Sequence, residues 1–291
     1  MIKKSLLAIL AIVFFVTSCS NDDNNPVIST KDFTVTIENV FQHKTFQNNG
    51  VFDAIPPGGS QSFSFNAGKG SYLSFSTMFV KSNDLFYGFS DTGLELYDMT
   101  GNAVTGDVTS NIMLWDAGTE VNEEPGIGAN QPMNQTGPNT GIDENSVVHL
   151  ENDMYDYPMT NTVIKVTLAH DGGTMFTATV ENLSSTATIT TPLAPGAWAV
   201  HNNQANLFIN GATASVEIEK LAEDGDNSID SFLMSNSGYF SPFAPGAYSI
   251  GGNTIFTNGQ PAVTGLEGLA EDGNASGYAN VFNTPMVKST I

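Results

Sequence analysis

Charge is what this chain has least of. Only 13% of its 291 residues are charged, about half of the ~25% usual in soluble domains. Arginine is absent, and nine basic residues, all lysine, face 30 acids for a net charge of −21. A phosphate-rich partner needs a basic stripe, so nucleic acid and anionic membrane surfaces are excluded as partners. A single cysteine rules out a disulfide framework. It sits at position 19, so the body holds no thiol for nucleophilic chemistry. His43, His149, His170 and His201 stand singly, without metal-ligand spacing, and read as surface or packing residues. No Gly-x-Ser-x-Gly elbow, phosphate loop or dinucleotide fingerprint is present. Aromatics, by contrast, are plentiful: 19 Phe, eight Tyr and two Trp. They mark a folded core and not a disordered acidic tail.

The first residues read as an address. Lys3 and Lys4 precede an apolar run from Leu6 to Val16, too short for a ~20-residue membrane span and suited to a signal peptide. Val16-Thr17-Ser18-Cys19 resembles a bacterial lipobox, which makes 1–18 a lipoprotein signal peptide and Cys19 the lipidation site. Such a lipid anchors a protein without a spanning helix. Residues 19–32, which include Ser20-Asn21-Asp22-Asp23, form an acidic tether. The tether resembles the acidic export signals of bacterial surface lipoproteins, and reads equally well as a plain solvated linker. The expected location is the outer membrane, exposed at the cell surface.

Beyond the tether the dominant period is two. Phe33, Val35 and Ile37 alternate with polar residues, as do Phe63 and Phe65; Leu73, Phe75, Thr77 and Phe79; Ile164, Val166 and Leu168; and Phe176, Ala178 and Val180. Turn clusters such as Pro56-Pro57-Gly58-Gly59 and Asp171-Gly172-Gly173 separate them. The pattern predicts a mainly β fold, an antiparallel β-sandwich. Two short helical patterns interrupt it. Ala214, Ile218, Leu221 and Ala222 form one stripe, with Thr213 placed to cap and Gly225 to stop. Ala262, Leu266, Leu269 and Ala270 form the other, with Pro261 suited to the first turn and Gly273 to the stop. Both helices belong to a duplicated β-β-helix module. Leu193-Ala194-Pro195-Gly196-Ala197-Trp198 recurs as Phe243-Ala244-Pro245-Gly246-Ala247-Tyr248, and Leu221-Ala222-Glu223-Asp224-Gly225 recurs unchanged at 269–273. The acid pairs Glu223-Asp224 and Glu271-Asp272 sit at the negative helix ends, where carboxylates are disfavoured unless compensated or exposed.

Chemistry concentrates in 82–126. Asp84 follows the Leu73–Val80 strand, and Asp116, Glu120, Glu123 and Glu124 crowd one loop with Asn122. Gly118 lets that loop fold so that Asp116 and Glu120 converge. A calcium ion takes six to eight oxygens from carboxylates, carbonyls and water, which such loops can supply. On composition alone a solvated acidic loop explains the same residues.

Ser-Thr-Met-Phe-Val-Lys-Ser-Asn-Asp-Leu-Phe (76–86), followed by Trp-Asp-Ala-Gly-Thr-Glu (115–120), resembles the spondin N-terminal domain family in its bacterial lipoprotein form. Pro-Gly-Ala-Trp-Ala-Val-His (195–201) and Leu-Ala-Glu-Asp-Gly (221–225) are similar to the family's other half. The resemblance implies a β-sandwich holding one calcium, with Asp84, Asp116 and Glu120 as ligands, Glu120 standing where animal members have Asp. In the family the Leu-Ala-Glu-Asp-Gly module comes before the Ser-Asn-Asp strand, whereas here two copies follow it. The organisation implied is a spondin-like core at 33–171 and repeat modules at 172–291, either two bodies or one permuted domain. The function expected is a surface-anchored, calcium-binding recognition or adhesion lipoprotein without catalysis, touching the membrane only through its lipid and binding an extracellular protein or glycan. Alternatives are a secreted hydrolase of polysaccharide, with Glu120 or Glu123 as acid or base, and a structural envelope component.

Overall fold

The structure, a computed structural model, describes residues 34–40, 44–202, 206–238, 243–250, 254–263, 265–282 and 288–290. The expected signal peptide at 1–18, Cys19, the tether at 19–32, Phe33 and His43 lie outside the described residues. The described residues fall into two compact units, a larger one within Asn39–Phe243 and a smaller one that joins residues 34–38 to the described residues from Ala244 onward.

Strand β1 (Thr36–Glu38) belongs to the smaller unit. The larger unit holds β2 (Asn48–Phe52), β3 (Ser60–Asn66), β4 (Tyr72–Phe79), β5 (Leu85–Gly88), β6 (Leu94–Glu95), β7 (Gly106–Asp107) and β8 (Met113–Asp116). It continues with β9 (His149–Leu150), α1 (Thr160–Val163), β10 (Ile164–Gly172), β11 (Met175–Asn182), β12 (Leu193–His201), α2 (Val216–Asp224) and α3 (Ile229–Ser235). The strands form two antiparallel sheets, one ordered β3-β11-β10-β7, the other β2-β12-β4-β5-β8-β9 with β6 beside β4. This is the expected β-sandwich. A boundary at 171/172 has no place in it. Residues 171 and 172 end β10, just before the 173–174 turn of the β10–β11 hairpin, and β12, from the later half, lies between β2 and β4. With β11 paired to β3 and β12 to β2 and β4, one body takes strands from both halves.

Alternation explains the layers. Phe65 of β3, Phe75 and Phe79 of β4, Val166 of β10, Phe176 of β11 and Trp198 of β12 meet in one core between the sheets. Trp198 stacks on Phe63 at 4.9 Å. Its role is packing, as is that of Trp115, whose indole N–H donates to the Phe89 carbonyl at 3.0 Å. The outer face of the large sheet is also covered. Ala197 and Ala199 of β12 and Phe86 of β5 pack with Ile218, Leu221 and Ala222 of α2 and Leu233 of α3. Small side chains on that face, with Ser74 and Ser76, leave room for the helix layer. Central strands buried on both faces explain why β4 is buried throughout save Tyr72.

Helix α2 starts at Val216, capped by Ser215, whose hydroxyl accepts the Ile218 N–H at 3.3 Å. The cap is therefore Ser215 and not Thr213, which precedes it by two residues. Gly225 ends the helix as expected, left-handed at φ 64°.

The smaller unit pairs β1 with β15 (Lys288–Thr290) and β13 (Gly246–Ala247) with β14 (Val281–Phe282), and carries α4 (Leu266–Asp272). Pro261 and Ala262 fall before this helix, which Gly265 opens instead. The repeat is structural as well as verbal. Gly196 and Ala197 pair with Phe52 and Val51, and Gly246 and Ala247 pair with Phe282 and Val281. In both copies the closing glycine lies against the alanine of the Ala-Pro-Gly segment: a Cβ on Gly225 would meet Ala194 at 2.7 Å, and one on Gly273 would meet Ala244 at 2.6 Å.

Candidate metal centre

Strand register builds the site. In the β5–β8 ladder Leu85 faces Asp116, so Asp84, one residue before β5, arrives beside the end of β8. The chain then turns sharply at Gly118, φ 67°, where a Cβ would lie 2.6 Å from the Val147 carbonyl oxygen. Glycine alone fits that approach. The turn is stitched to the 140s by the Val121 N–H on the Ile142 carbonyl (2.8 Å), Glu144 N–H on Thr119 (2.9 Å) and Ser146 N–H on Gly118 (2.8 Å).

Asp84, Asp116 and Glu144 thereby offer carboxylate oxygens that all lie within 4.8 Å of one another. Asp84 and Asp116 are buried and Glu144 stands at the exposed rim. Asp84 Oδ2 accepts the N–H groups of Thr119 (2.8 Å) and Glu120 (3.0 Å) and the Thr119 hydroxyl (3.1 Å). Asp116 Oδ1 accepts the Gly118 N–H at 2.6 Å, and its Oδ2 accepts the Asn122 amide at 2.7 Å. Asp84 Oδ1 is buried without any hydrogen-bond partner. Leaving such an oxygen bare carries a desolvation penalty of ~1–3 kcal/mol, more when ionised. Burial, and then the Asp116 charge, push the Asp84 carboxyl up to about 7 against the pull of its donors. Burial also raises Asp116, opposed by the Gly118 N–H and the neighbouring His149. It raises Glu144 too, helped by Asp84.

The arrangement can hold a metal ion. Its donors are all hard oxygens, the set that suits calcium or magnesium and not a thiophilic metal. The unpartnered Asp84 oxygen is the strongest sign of fit, because a cation supplies what no protein group does there.

The structure brings Asp84 and Asp116 together as expected and puts Glu120 to another use. Its Oε1 accepts the Gly141 N–H at 2.8 Å and its Oε2 the Asn83 amide at 3.4 Å, while its own N–H grips Asp84. Glu120 thus braces the 140s loop, and that loop presents Glu144. Nothing in the spacing singled Glu144 out; the available signal was its acid pair with Asp143 between the turn residues Gly141 and Asn145. Asn145, next to Glu144, adopts φ 59°.

Glu123 is also a brace, its carboxylate accepting the N–H (2.8 Å) and amide (3.1 Å) of Asn130. Of the acid pair ending α2, Asp224 accepts the Gln135 amide at 2.8 Å, while Thr119 lowers the Glu223 carboxyl only in part. Burial and the Glu120 charge push Glu223 up to about 7. In the smaller unit Glu271 and Asp272 line a separate cavity of about 540 Å³. Among the histidines, His149 lies beside the centre, where its ring lowers the Asp116 carboxyl.

Comparison with family models, with curated proteins and with solved structures returns no match. Among the described residues no helix is long and apolar enough to cross a membrane.

Proposed function

We propose that the protein is a surface-anchored, calcium-stabilised recognition module of the spondin type, non-catalytic, held to the outer membrane through lipid on Cys19. The observation that carries the reading is the buried carboxylate cluster with its unpartnered Asp84 oxygen. When bound, calcium supplies charge balance and coordination positions at the cluster. Asp84 and Asp116 would hold the ion from the buried side, Glu144 would hold it from the exposed rim, and the Thr119 and Glu120 N–H groups keep Asp84 from turning away. Glu120 and Glu123, the carboxylates best placed in the sequence for acid–base work, are both occupied in bracing loops, which favours binding over hydrolysis. The lipobox wording and the acidic tether support the anchored location.

Calcium at a hundred times its Kd contributes ~2.7 kcal/mol of stability, or a rise in Tm of roughly 5–10 °C for a unit of this size. Thermal denaturation with calcium and with chelator should show that rise, and Asp116→Asn should remove it. A melting curve indifferent to chelator would sink the calcium reading, whereas turnover of a polysaccharide that is lost in Glu123→Gln would replace it with the hydrolase.

A further inference from the structure

The carboxylate cluster does not close over itself. Asp116 and Glu144 also line a cleft of about 520 Å³, walled by Asn122, Asn152, Asp153 and Tyr155, within the ~300–1,000 Å³ typical of small-molecule sites. We infer that this cleft binds the vicinal hydroxyls of a neutral glycan, in a calcium-dependent way that rests on the cation reading above.

Donor and acceptor balance carries the first part of the argument. The Asn122 amide nitrogen is committed to Asp116 at 2.7 Å, which leaves its Oδ1 buried without a partner. No lysine lines the cleft, and its one base, His149, has Nδ1 2.9 Å from the Leu150 carbonyl. A ligand must therefore bring donors, and a sugar hydroxyl brings one while also accepting. Charge carries the second part. Asp84, Asp116, Glu144 and Asp153 contribute four carboxylates at or beside the cleft, so a divalent ion leaves the site negative and unfavourable to phosphate, sulfate or uronate. Shape carries the third. Asp153 is pinned by the Tyr155 N–H (2.7 Å) and the Tyr157 hydroxyl (2.7 Å). This fixes the half-buried Tyr155 beside Met154, which is 93% exposed. Together they offer an apolar strip for the C–H face of a sugar ring. If each of the three carboxylates gave one oxygen, calcium would still need others to reach its six to eight, and sugar hydroxyls in a cleft lined by Asp116 and the exposed Glu144 could supply them. A basic peptide fits the charge as well, but its ammonium groups would compete with calcium for the same oxygens and bind better after chelation.

The test passes the full-length protein over immobilised mannan and galactan in calcium, with alginate and polylysine as acidic and basic comparators. The expected result is retention on at least one neutral matrix, released by chelator and by free methyl hexoside. Tyr155→Ala and the exposed Asn152→Ala should each weaken retention about tenfold while preserving the calcium-dependent rise in Tm. The inference is overturned if neither neutral matrix retains the protein although calcium still raises Tm. Retention that survives chelator, or capture on polylysine that chelator strengthens, also overturns it. A Tm indifferent to calcium removes the cation reading itself.

Discussion

At the scale of single residues, the division of labour between Glu120 and Glu144 is the sharpest result. The resemblance to the spondin family implied Glu120 as a ligand, but a matched motif does not fix the direction in which a turn aims its side chains. Gly118 throws the chain toward the 140s, so Glu120 meets Gly141 while Glu144 meets Asp84. Glu144→Gln should therefore weaken calcium affinity about tenfold, or ~1.4 kcal/mol. Glu120→Gln, whose amide oxygen can still accept from Gly141, should change it far less. Calorimetric titration of both variants decides, and the reverse order would restore Glu120 as ligand. His201 supplies a second residue-scale prediction. It is buried with Nε2 2.7 Å from the Ser74 hydroxyl, and burial holds its pKa below the usual 6.5. The unfolded chain then binds the extra proton more readily, so stability is lost as pH falls through 6.5 and below. Across that window the urea midpoint of His201→Gln should gain on that of the wild type as pH falls. Asp84 acts with the opposite sign in the metal-free protein. Its carboxyl is raised from 3.8 to about 7, so its contribution falls as pH rises between those values. The difference between wild type and the His201 variant isolates the histidine.

At the scale of elements, the alternating strands were legible because burial on a sheet face imposes period two, and Phe63 and Phe65 or Phe176, Ala178 and Val180 leave little choice. The helix ends were legible where chemistry is specific. Gly225 and Gly273 both adopt the left-handed conformation their positions demanded. Helix starts were less so, since Thr213 and Ser215 are equivalent on paper and only the Ile218 N–H selects between them. Pro261 misled for a related reason: proline suits a first turn but does not compel one. Gly225→Ala should cost ~1–3 kcal/mol, through its positive φ and the close Ala194 Cβ, lowering Tm by several degrees. Ser215→Ala should cost ~1 kcal/mol. Differential scanning of the two variants would rank them in that order.

At the scale of the whole molecule, order along the chain was the hardest property to read. The order of the motifs allowed two bodies or one permuted domain, and the sandwich takes strands from both sides of residue 171, because a sheet needs neighbours in space and not in sequence. Both apolar clusters and the carboxylate centre fall within Asn39–Phe243. That segment expressed alone should unfold in one cooperative transition with the same calcium-dependent shift, and loss of the shift would show that the centre draws on the remainder. The paired registers of the two modules carry a kinetic consequence. Gly196 meets Phe52 across a stretch of chain about four times longer than the one separating Gly246 from Phe282, a loop-closure difference of roughly 1.2 kcal/mol. The first module's strand pair is thus a late event, waiting on distant chain to arrive. Its twin closes locally and early, so a single chain holds a fast and a slow version of the same piece of architecture.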